Sequence, residues 1–155
     1  MKKLTKTATL PTKATEGSSG YGLYSDVEIH ISPGERRIIS TGISVELPPG
    51  YELQVRSRSG LAAKRGLVTL NSPGTIDSDY RGEIKGLLYN SSKTKYQTIF
   101  QGDRIAQLVL QKVPVCEYYE VEELSDTSRG TGGFGSTGLG STEDKIAEEN
   151  FSGRK

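Results

Sequence analysis

The chain has 155 residues, a length that favours a single domain with room for a proper hydrophobic core. Hydrophobic residues make up 33% of it and there are 19 glycines, which favours a loop-rich β protein or one that shares its core with partner subunits. The net charge of +1 gives no field that would attract nucleic acid or an anionic membrane. A single cysteine excludes an internal disulfide, and a single histidine weakens any Cys-His or Ser-His-Asp scheme.

The amino terminus starts with lysines but does not continue into the apolar run of a signal peptide. No stretch approaches the ~20 apolar residues that a membrane-spanning helix needs. We therefore expect a soluble intracellular protein without a membrane or nucleic-acid partner. Its expected location is the cytoplasm, with the nucleus as the alternative in a eukaryotic host.

Turn-type clusters divide the first part of the chain into short segments. They are SPG at 32–34, PPG at 48–50, SPG at 72–74 and QGD at 101–103. Between them apolar residues alternate with a period of two at 27–31, 43–47, 51–55 and 106–110. Such alternation is typical of half-buried strands, so the pattern predicts an all-β sandwich or barrel.

One short helix is predicted over 59–66. Ser59 is suited to the N-cap, while Lys64 and Arg65 suit the last turn. Gly66 fits the left-handed position that follows the end of a helix.

The composition changes near Ser125. Residues 125–155 hold 7 glycines and 9 serines or threonines but only three aliphatic side chains, so alone they should be mobile. We therefore expect a β domain over 1–124, a glycine-rich arm over 125–138 and an unassigned tail over 139–155.

The segment 71–82, NSPGTIDSDYRG, is the first candidate site. Asp77 and Asp79 are two residues apart and would share one face of an extended segment, where like charges can raise the pKa of one carboxyl. The alternative is an acidic turn whose carboxylates cap backbone N–H groups. Composition alone favours that alternative.

Two other segments carry groups that bind phosphate. Arg58 and Ser59 lie where a strand meets the helix, although solvated arginines in an ordinary turn would look the same. In 129–138, RGTGGFGSTG, glycines allow the backbone to wrap a ligand and Phe134 could stack on a base. A flexible linker is the alternative for that segment.

Five segments in this order resemble the motifs of the trimeric dUTPase family. They are SGYGLYS at 19–25, RSGLA at 58–62, GTIDSDYRG at 74–82, GDRIAQL at 102–108 and RGTGGFGSTG at 129–138. The resemblance implies a distorted jelly roll, or β-clip barrel, with one short helix and a flexible glycine-rich C-terminal arm. It also implies a homotrimer whose active sites take residues from all three chains.

The implied reaction is hydrolysis of dUTP to dUMP and pyrophosphate, which limits dUTP and supplies dUMP for thymidylate synthesis. By resemblance, Asp77 is the general base for the water that attacks the α-phosphorus. The expected contacts to uracil and deoxyribose are Asn71, Gly74, Thr75, Ile76, Tyr80 and Lys85. The expected contacts to the phosphates are Arg58, Ser59, Gly60 and Gln107, and those of the arm are Arg129, Phe134, Gly135, Ser136 and Thr137.

The resemblance also implies Mg²⁺, held by the substrate phosphates and waters with no direct protein ligand. Gly22 is a departure, because the family has aspartate at this position of the first motif. Its loss is expected to affect metal affinity or rate. Two alternatives stay open: a dCTP deaminase on the same fold, and a binding or regulatory protein of this fold with weakened catalysis.

Overall fold

The computed structural model describes residues 1–138 and divides the chain into two units, of which the first is Met1–Cys116. Within the described residues there are eleven strands and one helix. The first strands are β1 Lys2–Lys3, β2 Thr12–Lys13, β3 Tyr21–Tyr24, β4 Ile29–Ile31, β5 Arg36–Ser44 and β6 Tyr51–Arg56. The remaining elements are α1 Ser59–Arg65, β7 Leu67–Thr69, β8 Gly74–Ile76, β9 Glu83–Asn90, β10 Gln97–Ile99 and β11 Arg104–Lys112.

The strands form three antiparallel sheets. The largest has the order β2-β3-β11-β6-β8, the second β1-β5-β9-β7, and the third pairs β10 with β4. The predicted all-β jelly roll with one short helix is confirmed.

A single apolar core lies between the sheets. Along β9 the buried positions alternate, with Ile84 and Leu88 fully enclosed, because successive side chains of a strand point to opposite faces. Fourteen buried residues form one cluster, among them Leu23, Ile39 and Leu108. This packed core supports the loops and strand ends that carry the candidate site.

The predicted strands agree with the structure fully at two segments, partly at 27–31, and at 43–47 only in the first two residues. Segments 51–55 and 106–110 lie within β6 and β11, whereas β4 starts only at Ile29. Strand β5 ends at Ser44, so Val45 and Leu47 lie outside any strand, although both are buried. The alternating pattern therefore predicted the burial of Val45 and Leu47 correctly, but not their secondary structure. An irregular segment can also turn every second side chain towards the core.

The helix is found at the predicted place, but Ser59 is not its N-cap. Arg58 takes that position with an extended backbone, and no side chain caps the helix. Ser59 is instead the first helical residue, so its hydroxyl is not used as a cap. Gly66 ends the helix as predicted, with a left-handed φ of 66° and Lys64 and Arg65 in the last turn.

The second unit begins at Glu117. Its described part, to Gly138, consists of turns and irregular backbone without a helix or strand, which at 128–138 agrees with the glycine content. The tail at 139–155 lies outside the described residues. No helix in the described part of the chain is long and apolar enough to cross a membrane.

Candidate active site

The structure gathers the four predicted phosphate contacts of the β domain in one cavity of about 440 Å³. We call it the arginine cavity, defined by Arg56, Arg58, Ser59, Gly60, Arg104 and Gln107 together with Gly20 and Gly22. Residues from β3, β6, β11 and the start of α1 meet there, because β11 pairs with both β3 and β6. Sequence positions as far apart as 20 and 107 are thereby brought together.

Gln107 is held at the centre of the large sheet. It pairs with Gly22 on one side and Arg56 on the other, and its Nε2 donates to the backbone oxygen of Ser57 at 3.0 Å. A β-carbon at Gly20 would lie 2.6 Å from its Oε1. Glycine at position 20 therefore gives the amide the room that it occupies.

Three guanidinium groups line the arginine cavity, and no aspartate or glutamate does among the described residues. Arg58 Nη1 donates to the backbone oxygen of Arg104 at 2.7 Å, and Arg56 donates two hydrogen bonds to Gln54 Oε1. Burial, and then the charge of Arg104, lower the pKa of Arg58. A chain with a net charge of only +1 thus concentrates positive charge at this place.

A second cavity, of about 370 Å³, brings together most of the predicted uracil and sugar contacts. We call it the tyrosine cavity, and its lining residues are Ile38, Thr75, Ile76, Asp77, Tyr80, Glu83, Lys85 and Leu87. Strand β8 pairs with β6 and strand β9 with β5 and β7, so the intervening segment joins two sheets rather than forming a paired hairpin.

Asp77 lies just after β8, at the start of a tight turn. The backbone N–H of Tyr80 donates to the backbone oxygen of Asp77 at 3.2 Å, so residues 77–80 are not extended. The condition for Asp77 and Asp79 to share a strand face is therefore not met. Asp77 lines the tyrosine cavity, whereas Asp79 does not.

The ring of Tyr80 is fixed by contacts within its own turn. Its hydroxyl donates to the backbone oxygen of Glu83 at 3.0 Å, and a β-carbon at Gly82 would overlap the phenol group. Glu83 in turn accepts hydrogen bonds from the N–H groups of Thr41 and Gly42 at 3.0 and 2.8 Å. Glu83 Oε2 also lies 3.4 Å from Lys85 Nζ.

Asn71 and Gly74 lie together beside the tyrosine cavity but not among the residues that line it. A β-carbon at Gly74 would be 3.0 Å from Asn71 Nδ2. Gly74 pairs with Val55 on β6, which anchors this end of the turn in the large sheet.

The two cavities share no lining residue. The predicted site residues of the β domain are therefore separated into a cationic group and a group around Asp77 and Tyr80 on one chain. Sequence reasoning did not single out Glu83 or Arg104 as site residues. Glu83 directly follows the motif at 74–82, and Arg104 lies within the motif at 102–108. Nothing in their residue types alone indicated a role in the site.

The five predicted residues of the arm lie in the second unit. Arg129 Nε donates to the backbone oxygen of Gly132 at 2.8 Å, and turns follow at Gly133–Ser136 and Gly135–Gly138. Phe134 has a left-handed φ of 49° and its side chain is fully exposed. An exposed phenylalanine among glycines has no packing role within this segment.

Residues 1–138 contain no group of three histidine, cysteine or acidic side chains that could hold a metal ion. The donors of the arginine cavity are guanidinium, hydroxyl and amide groups, which suit phosphate oxygens rather than a bare cation.

Comparison with known proteins places this arrangement in a family. The family model described as dUTPase matches residues 6–138. Proteins named deoxyuridine 5'-triphosphate nucleotidohydrolase from Nautilia profundicola and Hydrogenobaculum sp. are 54% and 55% identical, over 89% and 90% of this chain and 96% of each relative.

Solved structures agree with the sequence comparison. A mutant dUTPase of Staphylococcus bacteriophage 80alpha with dUpNHpp is 30% identical, covers 89% of this chain and 96% of its own, and has a TM-score of 0.83. A mutant dUTPase of phage phi11, described with a structural Mg(II) ion, has a TM-score of 0.74 at 26% identity over 79% of this chain and 95% of its own. The resemblance found in the five motifs is thus confirmed, and the chain belongs to the dUTPase family.

Proposed function

We propose that this protein hydrolyses dUTP to dUMP and pyrophosphate. The observation that carries the proposal is the family match over 6–138 together with relatives of 54–55% identity that bear the name of this activity. The geometry supports it, because one cavity offers cations for phosphates and another offers a carboxylate beside an aromatic ring.

The arginine cavity is the proposed site of the phosphates. Arg58, Ser59, Gly60 and Gln107 offer a guanidinium, a hydroxyl, backbone N–H groups and an amide within one concave surface. Such donors bind phosphate oxygens by charge-assisted hydrogen bonds. The triphosphate would neutralise a cluster of positive charge that, among the described residues lining this cavity, no carboxylate balances.

The tyrosine cavity is the proposed site of the nucleoside. The ring of Tyr80 would pack on the deoxyribose and leave no space for a 2′-hydroxyl. Backbone groups of Thr75, Ile76 and Lys85, with Asn71 and Gly74 beside them, would pair with the uracil edge. Hydrogen-bonding sites of this kind discriminate strongly, because a wrong base leaves buried polar groups unpaired.

Asp77 is the proposed general base. Its carboxylate would accept a proton from a water whose oxygen attacks the α-phosphorus. The bond between the α-phosphorus and the oxygen bridging to the β-phosphorus then breaks, and pyrophosphate leaves. Asp77 stands at the first position of a turn in which the Tyr80 N–H donates to its backbone oxygen, which would keep the Asp77 backbone fixed relative to that of Tyr80.

The arm at 125–138 is the proposed closing element. Arg129, Ser136 and Thr137 would contact the outer phosphates, Phe134 would stack on the uracil, and Gly135 would allow close backbone approach. Stacking on a base would give the exposed Phe134 ring a partner. Closure of such a segment would exclude water other than the attacking one.

Magnesium is the proposed cofactor. Bound through the phosphate oxygens, it would screen their charge and fix their conformation. Within the described residues, Arg58 and Gln107 would hold the phosphates themselves, and no carboxylate of the arginine cavity would compete for the ion.

The active form is proposed to be a homotrimer in which each site is completed by neighbouring chains. The predicted substrate contacts are divided between two cavities of one chain that share no lining residue, and a site shared between chains would bring both groups to one substrate. Large side chains between Val113 and Leu124 are also exposed, including Val115 at 96% and Tyr118 at 95%. Neighbouring copies of the chain would cover these side chains. Light scattering should give about three times the chain mass of 16.8 kDa.

The activity is tested by incubating the purified protein with Mg²⁺ and, in separate reactions, dUTP, UTP, dTTP and dCTP. We expect pyrophosphate and dUMP from dUTP, with far lower rates for the other three. Ammonia release from dCTP would show a deaminase instead. A folded protein that turns over none of the four would show a binding protein of this fold.

A further inference from the structure

Arg104 is a cation of the arginine cavity that the proposed phosphate contacts leave without a role. Arg104 is the first residue of β11, and its side chain is exposed and lines the cavity. No hydrogen bond or ion pair joins its guanidinium to any other residue of the described chain. Its backbone oxygen, by contrast, anchors the guanidinium of Arg58.

The side chain of Arg104 lies across Gly22. A β-carbon built on Gly22 would be 2.8 Å from Arg104 Cδ, closer than real β-carbons approach a neighbour, and 3.4 Å from Cγ. Gly22 lies within strand β3 and has no positive φ, so the backbone does not demand glycine there. Glycine at 22 therefore matters for the space that it leaves to Arg104.

A second glycine of the same segment also leaves space for a side chain of β11. Gly20 and Gly22 are two residues apart near the edge of the cavity, and each leaves room for a side chain of β11. Gly20 accommodates Gln107, and Gly22 accommodates Arg104. Both of the accommodated side chains line the cavity whose chemistry suits phosphate.

Electrostatics favours an anion between the two arginines. Arg104 is close enough to lower the pKa of Arg58, and no carboxylate among the described residues that line the cavity relieves this repulsion. Two like charges held near each other gain most from a ligand that carries several negative charges. An oligophosphate carries several negative charges. A monophosphate carries fewer, and it has fewer oxygens that could contact both guanidinium groups at once.

We propose that Arg104 is a further binding residue for the substrate's oligophosphate and that Gly22 positions it by leaving its side chain room across β3. The proposal rests on the proposed function, since it takes the triphosphate of a nucleotide to be the ligand of this cavity. It gives the glycine at position 22 a binding role where the family's first motif has a carboxylate.

Calorimetric titration with dUpNHpp and with dUMP, at one fixed Mg²⁺ concentration, tests the proposal. Arg104→Ala should weaken dUpNHpp binding by about 10-fold or more, as expected for a lost charge-assisted hydrogen bond, and dUMP binding by less. Arg104→Lys should lie between, because it keeps the charge but not the planar donor pair. Arg36→Gln, an exposed arginine on β5 away from the cavity, is the matched control and should bind as the unaltered protein does.

Gly22→Ala tests the positioning role. As a single substitution it should weaken dUpNHpp binding. In the Arg104→Ala variant it should have little further effect, because alanine at position 104 has no Cδ for the added methyl group to displace. Circular dichroism confirms that each variant is folded. Additive losses would overturn the role of Gly22.

The role of Arg104 would be overturned if the Kd of the Arg104→Ala variant for dUpNHpp stayed within two-fold of that of the unaltered protein. This conclusion requires that the unaltered protein binds and hydrolyses dUTP. An unaltered protein that binds neither dUpNHpp nor dUMP would contradict the proposed function itself. These two failures are therefore distinguishable.

Discussion

The hydroxyl of Tyr80 donates a hydrogen bond to the backbone oxygen of Glu83 at 3.0 Å, which folds the phenol ring over the glycine between them. Glu83 is itself tied to the neighbouring strand through the N–H groups of Thr41 and Gly42. The ring proposed to exclude a 2′-hydroxyl is therefore positioned by the sheet through two successive contacts, and not by its own rotamer preference alone.

Gly82→Ala should displace the Tyr80 ring, because the added methyl group would overlap the phenol. We expect the preference for dUTP over UTP, measured as the ratio of kcat/KM values, to fall by about 10-fold or more. Gly17→Ala adds the same methyl group where no atom lies within 4 Å, and it should leave the ratio unchanged. An unchanged ratio in Gly82→Ala would mean that Tyr80 does not set sugar specificity.

Asp77→Asn should lower kcat for dUTP by about 10²- to 10⁴-fold while Kd for dUpNHpp changes little, because the amide cannot accept the proton. Asp79→Asn is the matched control, since Asp79 belongs to the same turn but does not line the tyrosine cavity. Its loss of kcat should be much smaller. Equal losses in both variants would indicate that the turn's conformation, rather than one carboxylate, is what matters.

The contact of Phe134 with the base can be observed by fluorescence. The chain has no tryptophan, so Phe134→Trp would introduce a single reporter at this position. We expect its emission to be quenched when dUpNHpp binds, because the indole would stack on uracil. Phe100→Trp places the same reporter at an exposed site of the β domain and should show no change. Equal quenching at both sites would contradict stacking by the arm.

The hydrogen bond from Thr5 Oγ1 to Asp26 Oδ2, 2.6 Å long, is the main cause that lowers the pKa of the Asp26 carboxyl below its ordinary value of 3.8. A carboxyl with a depressed pKa stabilises the fold above its unfolded pKa, and this contribution is lost as the pH falls through the folded value. Denaturant unfolding at constant protein concentration should therefore show stability that declines below about pH 4.

Thr5→Val is the matching variant, because it keeps the branched shape and removes the donor. We expect it to lower the free energy of unfolding at pH 7 by about 1.5–3 kcal/mol, the usual contribution of a hydrogen bond to a charged group. The difference from the unaltered protein should shrink as the pH falls and Asp26 becomes protonated in both. A difference that does not vary with pH would assign the effect to packing or to the hydrogen bond that Thr5 Oγ1 accepts from the Ala8 N–H at 3.0 Å.

Much of this architecture was predictable because local signals and tertiary structure agree. Alternation located β6 and β11, and Gly66 located the end of the helix, since a left-handed residue there follows from backbone sterics. Ser59 was misassigned as the N-cap, because a serine one position inside a helix has the same sequence signature. Asp77 and Asp79 would share one face only if the segment were extended. The chain instead makes a tight turn there, as it passes from the sheet of β8 to the sheet of β9, and the sequence permits either conformation.

The candidate site was predictable only as residue types in recognised motifs. Their separation into two cavities depends on which strands pair, and strand pairing between β3, β6 and β11 is not encoded in any one segment. The space that Gly22 leaves for Arg104 depends on the register of β11 against β3, which is a tertiary property.

We propose that this protein hydrolyses dUTP in sites assembled from more than one chain. Coexpressing Asp77→Asn with Arg58→Ala tests it, because each variant alone damages every site. If Arg58 and Asp77 of a site come from different chains, random mixing leaves about a quarter of the sites intact. Arg58→Ala with Gln107→Ala is the control, since both belong to the arginine cavity of one chain and should not complement.

The measurement is the rate of pyrophosphate release from dUTP by the coexpressed pair, compared with each variant expressed alone. We expect Asp77→Asn with Arg58→Ala to recover about a quarter of the unaltered rate. A rate no higher than that of the separate variants, in trimers shown to contain both chains, would contradict the claim.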